Sequence, residues 1–137
     1  RQRYVRSSEI RPLTEARIVG GDYSKRAIDD ALRCGISNCE FLLGDIRNFS
    51  PAEAFSVIVF NECLYYLRDV TGVLRHYSRH LTPEGVFVIS MVTKPKTRMA
   101  WSQVKQFGGE VLHDNIIDDQ KIRHQFRVQV IRPGDQW

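Results

Sequence analysis

The chain has 137 residues, 42% of them hydrophobic and 26% charged, which suits one domain around a single core and excludes a disordered or fibrous design. Its net charge of +4 comes from 20 basic and 16 acidic residues scattered along the chain apart from arginines at 1, 3 and 6. That distribution favours a solvated positive surface over a nucleic-acid partner, and no apolar run approaches the roughly 18 residues a membrane span requires. "RQRYVR" has no apolar block after it, so a cytoplasmic protein without a secretory leader is expected. Cys34, Cys39 and Cys63 are odd in number and lack the paired spacing of a zinc site, so reduced thiols and no metal are expected.

From residue 18 onward strand-like and helix-like segments alternate, the pattern of a parallel sheet. "ARIVGG" (16 to 21) reads as a short strand. In "SKRAIDDALRCG", Ala27, Ile28, Ala31 and Leu32 share one helical face, with Ser24 placed to cap the start and Gly35 the end. "CEFLL" (39 to 43) and "SVIVF" (56 to 60) read as buried strands, the second covered by helices on both faces. Val70, Val73, Leu74, Tyr77 and Leu81 follow helical spacing, and "TPEG" (82 to 85) stops that helix. "VFVISM" (86 to 91) is a further strand, and residues 99 to 107 form a short helix ending at Gly108 and Gly109. Two last segments, 111 to 117 and 125 to 131, predict an antiparallel pair closing one edge of the sheet. In the second, Phe126, Val128 and Val130 lie on one face and Arg127 and Gln129 on the other.

Three of the parallel strands run into an acid or an amide: Asp22, Asp45, and Asn61 with Glu62. In open α/β sheets ligands bind beyond the carboxyl ends of the strands, so these residues are expected in one cleft. A carboxylate at Asp22 suits a vicinal diol such as a ribose. Asp45 suits a heterocyclic amine, with the Ile46 amide donating to a ring nitrogen. Either acid alone reads first as a turn-former or a helix cap; two of them closing strands on either side of one helix point to a ligand. Tyr65 and Tyr66 follow after Cys63 and Leu64, where their rings could wall a substrate pocket or one could simply join the core.

Taken in order, "RIVGGDYSKRAIDDAL", "CEFLLGDIRNF", "FSVIVFNECLYYL" and "LTPEGVFVIS" resemble consecutive motifs of class I S-adenosylmethionine-dependent methyltransferases, over about residues 16 to 92. The resemblance implies a Rossmann-like, doubly wound and mostly parallel α/β sheet with the antiparallel C-terminal strand pair. It implies S-adenosylmethionine as cofactor, held by Asp22, Tyr23, Ser24, Gly44, Asp45, Ile46 and Asn61. Within that set Asp22 takes the ribose hydroxyls, Tyr23 packs on the adenosine, Asp45 and Ile46 read the adenine edge, and Asn61 flanks the methionine portion. "NECLYYL" in particular is similar to small-molecule methyltransferases acting on sugar amines and natural products. The implied partner is a small-molecule acceptor methylated at an amine or hydroxyl, with Tyr65 and Tyr66 on its side and Glu62 as candidate base; no nucleic acid or membrane is expected.

One departure from the family stands out. Its glycine-rich loop after the first strand has no counterpart in residues 1 to 21, and "VGGD" already belongs to the second-strand motif. Only 21 residues precede Asp22, against roughly 25–30 for a strand, loop and crossover helix. The first strand and glycine loop are therefore expected to be missing at a junction near Ser7 to Glu9, with a second omission possible in "TKPKTRMAW". Two alternatives stay open: a nicotinamide-dependent oxidoreductase, since an acid closing the second strand also binds ribose there, and a degenerate methyltransferase fold serving as a regulatory or interaction partner.

Overall fold

The computed structural model describes residues 17–35 and 37–134. The junction expected near Ser7 to Glu9 lies outside them. The chain divides into two compact units, the first ending at Ser50 and the second beginning at Pro51.

In the first unit β1 (Ile18–Asp22) and β2 (Cys39–Leu43) pair in parallel, connected by α1 (Lys25–Leu32). α1 forms where its apolar residues recur every three to four positions, so that Ile28 and Ala31 are buried on one stripe. Ser24 caps it, its Oγ accepting from the Ala27 N–H at 3.2 Å. Gly20 is a glycine for steric reasons, because a Cβ there would lie 2.8 Å from the Phe41 ring on the neighbouring strand.

The second unit has a four-stranded sheet in the order β3-β4-β6-β5. β3 (Phe55–Asn61) and β4 (Leu81–Val92) are parallel, linked by a 3-10 turn (Leu64–Tyr66) and α2 (Val70–Ser78). A second 3-10 turn (Pro95–Thr97) leads without interruption into α3 (Arg98–Phe107), so "TKPKTRMAW" folds as one hydrogen-bonded segment. β5 (Glu110–Asp119) then takes the edge, and β6 (His124–Arg132) returns antiparallel to both β4 and β5. The turn after α3 requires glycine: Gly109 has φ +87, and a Cβ would meet the Arg132 carbonyl at 2.7 Å. No helix among the described residues is long and apolar enough to cross a membrane.

Both α2 and α3 cover the same face of this sheet. Phe87, fully buried, stacks edge-on against Phe60 at 5.4 Å and meets Phe107 of α3 at 6.1 Å, while Phe60 packs on Tyr77 of α2 at 5.5 Å. On the other face Val57 and Val59 remain 48% and 58% exposed, so β3 differs from the expected strand with helices on both sides. "TPEG" also differs from a simple stop. Phe55 pairs with Leu81 and Val57 with Val86, so residues 82–85 form a bulge inside β4 rather than preceding it.

Gln103 joins the two helices. Its Oε1 accepts from the N–H groups of Val70 and Thr71, at 2.9 and 3.4 Å, and its Nε2 donates to the Arg68 carbonyl at 3.1 Å. A side chain of α3 thereby satisfies amides that the first turn of α2 would leave orphaned. We expect Gln103→Leu to lower unfolding free energy by about 1–3 kcal/mol in urea titration, the cost of stranding such donors. A loss within error would show that water replaces the side chain there.

Candidate functional site

The carboxyl ends of β1 and β2 lie side by side because the strands are parallel and in register. Asp22 pairs with Leu43, and the Gly44 N–H donates to the Asp22 carbonyl at 2.9 Å. Asp22, Gly44 and Asp45 are thus brought together. Asp22 is buried, with 8% exposure, and its Oδ1 accepts from the Ser24 N–H at 2.8 Å. Oδ2 makes no hydrogen bond among the described residues. Both sequence readings of Asp22 are therefore compatible with its geometry: one oxygen organises the turn, and the other is left for a ligand. Tyr23 follows with its ring exposed, while the Ser24 hydroxyl is already engaged as the cap of α1.

Asp45 is held by a neighbour that sequence reasoning did not foresee. Arg47 donates from Nε to Oδ1 at 3.0 Å and from Nη2 to Oδ2 at 2.6 Å, and its backbone N–H reaches Oδ1 at 2.9 Å. These bonds, the guanidinium pair first, hold the carboxyl well below its ordinary value of 3.8, at about 2. Ile46 begins the turn that follows, closed by the Asn48 and Phe49 N–H groups on the Asp45 carbonyl at 3.1 and 2.9 Å. A carboxylate has about four acceptor positions, so an adenine amine could share Asp45 with Arg47 without displacing it.

The sign of the pH dependence follows from the lowered value. Asp45 is more acidic in the folded protein, so its contribution to stability is present above the unfolded-state value and is lost as pH falls through about 2. We expect an NMR titration of the Asp45 carboxyl to show no inflection between pH 4 and 8. Arg47→Gln should move its midpoint up toward 3.8. A midpoint unmoved by that substitution would contradict the Arg47 pairing.

In the second unit Asn61 is the last residue of β3, opposite Ser90, and Glu62 follows with φ +54. That left-handed backbone is uncommon for a side chain of this kind and is held by the Glu62 N–H donating to the Ser90 carbonyl at 2.8 Å. Burial pushes the Glu62 carboxyl above the usual carboxylate range, opposed by the Val92 backbone, the Tyr65 hydroxyl and the charge of Lys96. Oε1 is buried without a hydrogen-bond partner. Tyr65 lies half-buried in the 3-10 turn, its ring centroid 4.4 Å from that of Tyr66 and the two hydroxyls 3.4 Å apart. Burial, with Tyr66 and Glu62 adding to it, pushes the Tyr65 phenol far above its ordinary value, so it stays protonated and acts as a hydrogen-bonding group. Tyr66 is 60% exposed.

Lys96 completes this group, its Nζ 4.8 Å from the Tyr65 ring centroid. The available signal was the basic "KPK" directly after β4, at the carboxyl end of a parallel strand. Cys34, Cys39 and Cys63 form no disulfide, and the described residues contain no group of three or more His, Cys, Asp or Glu able to hold a metal ion.

A mixed α/β fold whose parallel strands end at Asp22 and Asn61 or run on into Asp45 defines a Rossmann-like class, and comparison with known proteins places the chain within it. The family described as a methyltransferase domain matches residues 6–129, and the chain belongs to that family. Over 76 residues, 56% of the chain, it is 37% identical to trans-aconitate 2-methyltransferase of Escherichia coli, and the matched stretch spans only 30% of that enzyme. Among solved structures it is similar to the N-methyltransferase NodS of Bradyrhizobium japonicum WM9 in complex with S-adenosyl-L-homocysteine, with a TM-score of 0.71 and 22% identity, covering 87% of this chain and 67% of NodS. It is also similar to the [4+2]-cyclase SpnF, with a TM-score of 0.75 and 12% identity, covering 93% of this chain and 70% of SpnF. These structural likenesses establish the fold; an N-methyltransferase and a cyclase share it, so the reaction must be argued from the site.

Proposed function

We propose that this domain transfers a methyl group from S-adenosylmethionine to an amine or hydroxyl of a small molecule. The observation that carries the reading is Asp22, a buried carboxylate at a strand end whose Oδ2 makes no hydrogen bond among the described residues and so suits a ribose diol. Asp22 would hold the ribose hydroxyls, and Tyr23 would lie against the adenosine. Asp45, Gly44 and the Ile46 backbone would meet the adenine edge, Ser24 would fix the turn beneath the ribose, and Asn61 would serve the methionine portion. When bound, the cofactor supplies a methyl group made electrophilic by its sulfonium.

On the acceptor side the chain's own groups supply orientation and a proton acceptor. The Tyr65 and Tyr66 hydroxyls orient the acceptor, and the Glu62 carboxylate takes the proton that an amine or hydroxyl loses as it is methylated. A raised carboxyl suits that task, since a base closer to neutrality accepts a proton more readily. A carboxylate acceptor is a second possibility, favoured by the likeness to an enzyme named for trans-aconitate. Such an acceptor is already ionised at neutral pH and would need no base.

Glu62→Gln separates these cases. With a neutral amine or a hydroxyl as acceptor, turnover should rise with pH through the Glu62 ionisation in the wild type. In the variant it should fall by about 10²–10⁴-fold and lose that acidic limb, with S-adenosylhomocysteine affinity unchanged. Full turnover in the variant would remove Glu62 from the chemistry and favour the carboxylate acceptor.

A further inference from the structure

The second unit holds a cavity of about 320 Å³ whose lining includes Lys94, Arg98, Trp101 and Arg127, together with Thr93 and Thr97. No acidic side chain among the described residues lines it. Arg127 spends its charge locally, donating to Asp114 at 3.0 and 2.7 Å and lying 4.9 Å from the Trp101 ring centroid. Asp114 also accepts from Gln129 at 3.0 Å, so Arg127 is fixed from below rather than free to swing. Lys94 and Arg98 are different: both are exposed, and neither forms an ion pair among the described residues. Two unpaired cations therefore border a concave space beside a third whose charge is balanced. Trp101 adds a flat wall and a buried indole N–H with no hydrogen-bond partner. The cavity adjoins Lys96, the residue over the Tyr65 ring, through the shared segment 93–98.

Unpaired cations on an exposed convex surface are ordinary, because water solvates them. Around a concavity walled by an indole they raise the local potential and favour an anion over a neutral ligand. Arg98 offers a guanidinium fork matched to planar or tetrahedral oxyanions, and Lys94 a mobile point charge.

We propose that this cavity binds an anionic group, a carboxylate or a phosphate, carried by the small molecule that the domain methylates. The assignment of that molecule as acceptor rests on the methyltransferase reading; the cavity's preference for an anion does not. The anion would pair with Arg98 and Lys94 against the Trp101 ring, leaving the rest of the molecule to extend toward Lys96 and Tyr65.

The test is calorimetric titration of the whole chain with tricarballylate, with glucose 6-phosphate, and with the neutral propane-1,2,3-tricarboxamide. At least one of the two acids should bind and the triamide should not; which acid binds distinguishes carboxylate from phosphate. The double variant Lys94→Gln/Arg98→Gln, altered only at exposed side chains, should weaken that binding by about tenfold or more, while Lys105→Gln near the far end of α3 should leave it unchanged. S-adenosylhomocysteine is titrated in parallel and should bind wild type and double variant alike. Failure of that arm in the wild type would count against the methyltransferase reading and not against the anion cavity. Neither acid binding, or an acid binding equally well to the double variant, would overturn the proposal.

Discussion

Phe87→Ala is expected to lower the unfolding free energy by about 3–5 kcal/mol, the usual loss when a fully buried phenylalanine is truncated. Phe87 is at 0% exposure and touches Phe60 on the neighbouring strand and Phe107 on α3. Phe60 in turn contacts Tyr77 on α2, so Phe87 and Phe60 together link both helices to β3 and β4. The substitution removes the lost ring's transfer energy and also leaves a cavity that rigid strands cannot close. Domains of this size are stabilised by only about 5–15 kcal/mol, so this one change would take a large share. Urea unfolding at constant slope measures it. A loss below about 1 kcal/mol would mean that Phe87 is not the centre of the packing.

Asp22→Asn is expected to weaken S-adenosylhomocysteine binding by about 1.5–3 kcal/mol, or roughly ten- to 150-fold, the scale of a hydrogen bond to a charged group. The amide is nearly isosteric, and its oxygen can still accept from the Ser24 N–H, so the turn and the cap of α1 should persist. Where Oδ2 accepted a ribose hydroxyl, the variant offers an NH2 donor or a neutral oxygen instead. Calorimetry gives the affinity, and a thermal melt shows whether folding is affected. Unchanged affinity would restrict Asp22 to turn formation.

The helices and parallel strands were legible because their signals are local. The Ile28 and Ala31 stripe, the Ser24 cap and the unbroken "CEFLL" each depend on neighbours within a few residues, and each lies where the pattern puts it. The strand ends were legible too: Asp22, Asp45 and Asn61 all stand at or just after the last residue of a strand. What failed to show in the sequence depends on partners distant in the chain or on choices between faces. Gln129 looked like a residue of the polar side of β6, yet it is buried, because Asp114 on β5 accepts its amide and Ile131 shares its face. "TPEG" carries turn residues, but Phe55 pairing with Leu81 makes it a bulge. Arg47 was hidden by the turn geometry that folds it back onto Asp45, and Lys96 by its distance along the chain from Tyr65. Among the described residues β1 pairs only with β2, and β3 only with β4.

The central claim is that this chain is built to hold the nucleoside of S-adenosylmethionine, and calorimetric titration of the whole chain with S-adenosylhomocysteine and, separately, NAD tests it most directly. Both ligands present a ribose diol to an acid at a strand end, so the comparison asks which cofactor the rest of the site accepts. The account predicts saturable one-to-one binding of S-adenosylhomocysteine and none of NAD at the same concentrations. Binding of NAD without S-adenosylhomocysteine would contradict it in favour of an oxidoreductase, and binding of neither would leave a methyltransferase fold that does not hold its cofactor.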